Sequence, residues 1–158
     1  MKLETVVEPN DHIFEIQRRY IQEIGNLLTG RHIEAVGGMA VPMAGRSELD
    51  ILVITEDIEG DTEKLTTLGF GHRGFADDAL YLKQIVEGVE VTVQIMKKDN
   101  KMIEIHRKLI ALLRKDKALR KRYEEYKRTL SGLERYEYKE KKGQFLKEHI
   151  LPRIREGK

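Results

Sequence analysis

A chain of 158 residues is long enough for one hydrophobic core of ordinary size with room for an appendage. Hydrophobic residues make up 40% and charged residues 35%, which excludes disorder, and the lack of cysteine excludes disulfide frameworks, thiolate zinc sites and cysteine nucleophiles. No apolar run reaches the ~18 to 20 residues of a bilayer span, and Met1-Lys2-Leu3-Glu4 opens no signal-peptide core, so a cytoplasmic location without a membrane partner is expected. The formal net charge of +2 is unevenly divided: residues 1–100 hold 10 Lys and Arg against 18 Asp and Glu, whereas residues 101–158 hold 19 against 9. Either two oppositely charged parts pack on each other, or the basic part faces a polyanionic ligand held by the acidic part.

In chain order, Asn10 or Asp11 can cap a helix whose apolar residues Ile13, Ile16, Tyr20, Ile24, Leu27 and Leu28 recur at intervals of three and four, with Gly30 ending it. His32 to Val36 alternates as a strand, Gly37-Gly38 breaks it, and Ala40 to Gly45 is expected to be an irregular loop. Leu49 to Ile54 reads as a strand covered on both faces, followed by a short helix opened by Asp61 and closed by Gly69. Leu80 to Val86 and Val89 to Met96 flank Glu87-Gly88 and predict a tight hairpin. Three helices then follow, over Met102 to Arg114, Leu119 to Leu130, and a last segment carrying Tyr138, Phe145, Leu146, Ile150 and Ile154. The predicted architecture is α+β, a small mixed sheet with flanking helices (residues 1–100) and a basic helical C-terminal extension packed on it (residues 101–158), together one compact unit.

The segment richest in chemistry runs from Gly37-Gly38 to Arg46-Ser47-Glu48-Leu49-Asp50. Glu48 and Asp50, two apart at a strand start, project from one face about 7 Å apart and can share a hard cation such as Mg²⁺ or Mn²⁺. Glycines just upstream leave backbone N–H groups open to a phosphate. Glu90, on the polar side of the second hairpin strand, supplies a third carboxylate if that strand lies beside the Asp50 strand. The alternatives are plain ones: an acidic pair on a solvated strand edge, a glycine turn without a ligand, and an outward Glu in a hairpin. Arg46 is placed either to bind a phosphate or to pair with Glu48. Tyr123 with Lys127, and Tyr138 with Lys142, stand at i and i+4, giving either ordinary stacking of lysine stems on rings or a basic, aromatic wall against a nucleotide. His72, between Gly71 and Arg73, is expected at the surface rather than as a general base, and the other histidines show no zinc-ligand spacing.

Ser47-Glu48-Leu49-Asp50-Ile51-Leu52-Val53 resembles the Ser-Asp-Ile-Asp-Leu-Leu-Val strand start of the nucleotidyltransferase superfamily. More closely, the whole chain resembles the GrpB family, a divergent branch of that superfamily sometimes joined to dephospho-coenzyme A kinase. The family's Gly-Ser-Thr-Ala-Val-Pro-Gly is matched by Gly37-Gly38-Met39-Ala40-Val41-Pro42-Met43, and its Lys-Pro-x-Ile-Asp-Ile by Arg46 to Ile51. Its Tyr-x-x-x-Lys elements recur at Tyr123/Lys127 and Tyr138/Lys142. Two departures add carboxylates: Glu90-Val91-Thr92 stands where the family tends to carry His-Leu-His, and Glu48 where it has an apolar residue. In a third, Leu109-Ile110-Ala111 replaces a Phe-Arg-Asp segment.

The resemblance implies a nucleotidyltransferase-like fold and, if active, Mg²⁺-dependent transfer of a nucleoside monophosphate from a triphosphate to an acceptor hydroxyl. Glu48, Asp50 and Glu90 would be the catalytic and metal-binding residues. Gly37, Gly38, Arg46, Ser47, Lys127, Tyr138 and Lys142 would hold the nucleotide and its phosphates. The alternative is a catalytically silent relative that holds a nucleotide, a coenzyme A-like ligand or a partner protein; a third reading, an RNA-binding module, has no recognised motif behind it, and nucleic acid is not the expected partner.

Overall fold

A computed structural model describes residues 3–155, apart from the side chains at 72 and 73, so the reading of His72 falls outside the described residues. The elements are β1 (Val6–Val7), α1 (Asp11–Leu27), β2 (His32–Val36), a 3₁₀ turn (Gly38–Ala40), β3 (Gly45–Arg46), β4 (Glu48–Ile54), α2 (Ile58–Thr66), β5 (Gly71–Ala76), β6 (Ala79–Val86), β7 (Val89–Met96), α3 (Met102–Lys115), α4 (Lys117–Thr129) and α5 (Arg135–Phe145). A π-helical stretch (Leu146–Ile150) joins α5 to α6 (Leu151–Arg155). The fold is α+β: strands run β2-β4-β7-β6-β5 in one mixed sheet, and β1 pairs with β3 in a short separate ribbon. Within the five-stranded sheet β4 and β7 are parallel and the other neighbours antiparallel.

Local chemistry accounts for most boundaries. The Asn10 side chain accepts a hydrogen bond from the Ile13 N–H at 3.1 Å and so caps α1. Asp57, not Asp61, caps α2 by accepting from the Gly60 N–H, and the helix starts three residues earlier than Asp61 suggests. Asp61 is instead buried inside α2, paired with Arg31 at 3.0 Å. The β6–β7 hairpin turns on Glu87 and Gly88, both in the left-handed region (φ 49° and 82°), the geometry a two-residue turn needs.

Strand periodicity sorts the two cores. Leu49, Ile51 and Val53 of β4, with Val89, Val91, Val93 and Ile95 of β7, face the α1/α2 side, where Ile13, Ile16 and Ile24 pack. On the opposite face Leu52 and Met96 meet Ile110, Leu113 and Tyr123 of the C-terminal helices. All eight residues of β7 are buried, so its polar face, including Glu90, Thr92 and Gln94, is covered rather than solvated. Acidic and polar residues of two central strands thus lie under a helical roof.

Candidate functional site

Parallel pairing in register sets Glu48 beside Glu90, Asp50 beside Thr92 and Leu52 beside Gln94. Since alternate residues share a face, Glu48, Asp50 and Glu90 all project toward the C-terminal helices. There a cavity of about 120 Å³ is lined by Gly37 and Gly38, by Arg46, Glu48 and Asp50, and by Tyr123, Lys127, Tyr138 and Lys142 among other residues. Ser47 is not in this wall; its hydroxyl donates to the Gly88 carbonyl at 3.0 Å, and with Glu90 it faces a separate depression near Glu4 and Arg135.

Each carboxylate has a distinct setting. Asp50 touches the cavity but is otherwise surrounded by protein, and its pKa is pushed up to about 7, first by burial and then by the negative charge of Glu48, against the opposing pull of Lys142, Gln94 and Arg46. Glu48 accepts from Arg46 Nη2 and lies 3.9 Å from Lys142 Nζ. Glu90 accepts from Arg135 Nη2 at 2.9 Å and lies 3.4 Å from both Lys83 Nζ and Arg46 Nη2. Burial works to raise its pKa, but those three cations overcome it and hold the group at about 2. Arg135 also donates to Glu4 at 2.7 Å, so Glu4, ahead of β1, and residues of β3, β7 and α5 are tied into one alternating network. Arg46 pairs with Glu48 and also lines the cavity.

The cationic wall comes from α4 and α5. Lys127 is 4% exposed, with its Nζ 4.4 Å from the centre of the Tyr123 ring. Burial, reinforced by Lys142 and opposed by Glu124 and Glu48, pushes its pKa down to about 7. Tyr138 is fully buried, its hydroxyl lies near the Arg46 backbone without closing a hydrogen bond, and burial pushes its pKa up to about 12. Gln94 hydrogen-bonds Asp50, and His106 Nε2 lies 2.9 Å from Gln94 Oε1. Sequence reasoning missed Gln94, His106, Lys83, Glu4 and Arg135. Of these only Gln94 carried a local signal, as part of the Glu90/Thr92/Gln94 alternation.

The donor set suits one Mg²⁺ or Mn²⁺ at Glu48 and Asp50, because such ions are usually held by one or two carboxylates with ligand phosphates completing the shell. A cation there would offset both the burial and the Glu48 repulsion that raise Asp50. Between Glu48 and Glu90, where a third carboxylate would serve a second ion, the guanidinium of Arg46 already lies. Among the described residues no three His, Cys, Asp or Glu side chains converge as a ready metal centre, and no helix is long and apolar enough to cross a membrane.

The family described as GrpB protein matches residues 5–151. A UPF0157 protein of Vibrio cholerae serotype O1 is 30% identical over 141 residues, covering 86% of this chain and 74% of that protein. Among solved structures, terminal uridylyl transferase 4 from Trypanosoma brucei with bound UTP aligns with a TM-score of 0.51 at 10% identity, over 77% of this chain and 42% of that one. This chain thus spans less than half the length of that transferase, and at such identity the likeness is one of fold. The family match takes in the glycine turn, the Glu48/Asp50 strand start and both lysine-bearing helices, and on that ground the chain belongs to the GrpB family and has a nucleotidyltransferase-like fold.

Proposed function

We propose that this chain is a nucleotidyltransferase-type protein that binds the phosphates of a nucleoside triphosphate, or of another phosphorylated small molecule, with Mg²⁺ or Mn²⁺, and passes a nucleoside monophosphate to an acceptor hydroxyl. The observation that supports this reading is the meeting of Glu48 and Asp50 with Lys127 and Lys142 in one cavity beside Gly37-Gly38, on a fold shared with a uridylyl transferase. Glu48 and Asp50 hold the cation, which when bound neutralises phosphate charge and favours attack at phosphorus. Lys127 and Lys142 bind phosphate oxygens, and the Gly37-Gly38 backbone allows close approach. A volume of about 120 Å³ takes a phosphate group but falls below the roughly 300 Å³ of small-molecule pockets. The cavity itself therefore suits the phosphates, with the rest of a nucleotide lying outside it.

One observation favours the second reading, a catalytically silent protein that binds such a ligand. Arg46, held by Glu48 and Glu90, supplies between those two carboxylates the positive charge that a second ion would bring. Pyrophosphate release from each of the four common nucleoside triphosphates, measured with Mg²⁺ and with Mn²⁺ on the parent and Asp50→Asn, decides between them. Release by the parent that is lost in the variant supports transfer. Metal-dependent binding with no release in the presence of diverse hydroxyl acceptors supports the silent reading.

A further inference from the structure

Among the described residues, Lys127 is a buried amine without a carboxylate partner: no Asp or Glu oxygen lies within 4 Å of its Nζ. The nearest candidate on its own helix, Glu124, is spent on the Ala44 N–H at 2.8 Å and on Arg128 at 3.7 Å. Two glycines open the space around the amine, since side chains at Gly38 and Gly45 would begin 3.7 and 3.4 Å from Nζ. Apolar Met43, Leu113 and Leu146 share the walls with Arg46, Glu48 and Asp50, and Lys142 contributes a further cation to the same cavity. A lysine desolvated in an apolar pocket beside another cation is activated as a nucleophile because its charged form is disfavoured. That pressure brings Lys127 down to about 7. At neutral pH a large share of it is the free amine, against about four in ten thousand for exposed lysines.

We propose that Lys127 is an acylation site, at which its amine attacks the carbonyl carbon of a small acyl phosphate drawn into the cavity by Lys142. Acyl phosphates combine a dianionic phosphate with an electrophilic carbonyl, matching a site that offers a cation and a nucleophile together. A cavity of about 120 Å³ suits a small acyl group. In the reaction the C–N bond forms and the carbonyl C–O bond to phosphate breaks. The amine proton leaves with the phosphate, which departs as hydrogen phosphate, so no oxidant, reductant or metal is needed. The amide formed is neutral and fills part of the cavity. Acylation therefore closes the phosphate site, a consequence that rests on the function proposed above, whereas the acylation itself does not.

The test is treatment of the intact protein with acetyl phosphate near neutral pH and without metal, followed by peptide mapping by mass spectrometry. Lys127 is expected to be acetylated at least about tenfold faster than exposed Lys115, Lys121 and Lys147, in spite of its burial. Inorganic phosphate should protect it, and Lys142→Met should slow its labelling several-fold while a melting curve confirms folding. Acetic anhydride, an uncharged reagent, should also prefer Lys127 and should depend on Lys142 less than acetyl phosphate does, since there the loss of Lys142 removes only its depression of the Lys127 amine and not an attraction for the reagent. Labelling of the exposed lysines while Lys127 stays unmodified overturns the proposal, as does an acetyl phosphate rate at Lys127 equal in parent and Lys142→Met. Acylation of Lys127 in a protein that binds no metal–nucleotide leaves this inference standing and removes the nucleotidyltransferase reading.

Discussion

The Asp50 carboxylate packs so closely on Gly37 that a Cβ on this glycine would lie 2.5 Å from Asp50 Oδ2. Gly37 also holds φ at +77°, a conformation L side chains rarely adopt. The turn and the carboxylate therefore depend on each other: the turn has no room for a side chain because Asp50 occupies it.

Gly37→Ala is expected to destabilise the protein by about 1 to 3 kcal/mol and to reduce metal-dependent ligand affinity at least about tenfold, because the displaced carboxylate leaves the cavity. Gly143→Ala, in α5 with open space around its Cα, is expected to be neutral or slightly stabilising. Melting curves and titration calorimetry on both variants check this.

The raised pKa of Asp50 gives a stability profile of definite sign. The folded state binds the Asp50 proton more tightly than the unfolded chain does, since the pKa rises from 3.8 to about 7. The parent should therefore lose stability as pH climbs from about 4 through 7 and not recover it above that. Asp50→Asn removes this cost, so its advantage should be absent near pH 4 and largest near pH 8. The full shift corresponds to about 4 kcal/mol, and contact with the cavity reduces what is observed to a fraction of that. Denaturant titrations at several pH values read the difference. A parent that gains on the variant as pH rises contradicts the assignment.

Glu90 behaves in the opposite sense. Its pKa of about 2, below the ordinary 4.5, means that its ion pairs stabilise the fold fully above about 4.5 and that this contribution disappears as pH falls through 2. Glu90→Gln leaves buried Arg46 and half-buried Arg135 without one of their partners and is expected to cost about 2 to 3 kcal/mol at neutral pH. A cost below about 0.5 kcal/mol would show that Glu90 behaves as an ordinary surface residue.

Lys142→Glu and Lys115→Glu change net charge equally, but Lys142 lines the cavity and Lys115 lines a separate groove. The first is expected to weaken a phosphorylated ligand strongly at low salt and less at high salt, and the second to have little effect at either, since exposed charges are screened over about 8 to 10 Å. Equal effects would reduce the basic helices to a source of overall charge.

Much of the fold could be read locally. The four apolar residues after Asp50 and the strict alternation of Val89 to Ile95 marked β4 and β7, and Glu87-Gly88 marked the β6–β7 hairpin turn. Strand β5 escaped because Gly71 and Gly74 interrupt any alternation and a register shift between His72 and Gly74 breaks the ladder; pairing with β6 holds it in place. Its turn is made by Asp77 and Asp78, both at positive φ, where glycine or asparagine is the usual sign. Glu48 and Asp50 were legible because they share a strand face. Their counter-charges were not: Arg135 is 45 positions from Glu90 and 131 from Glu4, and such pairs exist only once the helices fold back over the sheet.

The most direct test of the account is calorimetric titration of a nucleoside triphosphate with Mg²⁺ or Mn²⁺ into the parent protein and into Asp50→Asn. Binding by the parent is expected to require the metal and to be lost in the variant, with the variant folded at the same pH. Absence of binding for every nucleotide and metal tried, or equal binding by both proteins, would contradict the placement of a phosphate site over Asp50 and Glu48.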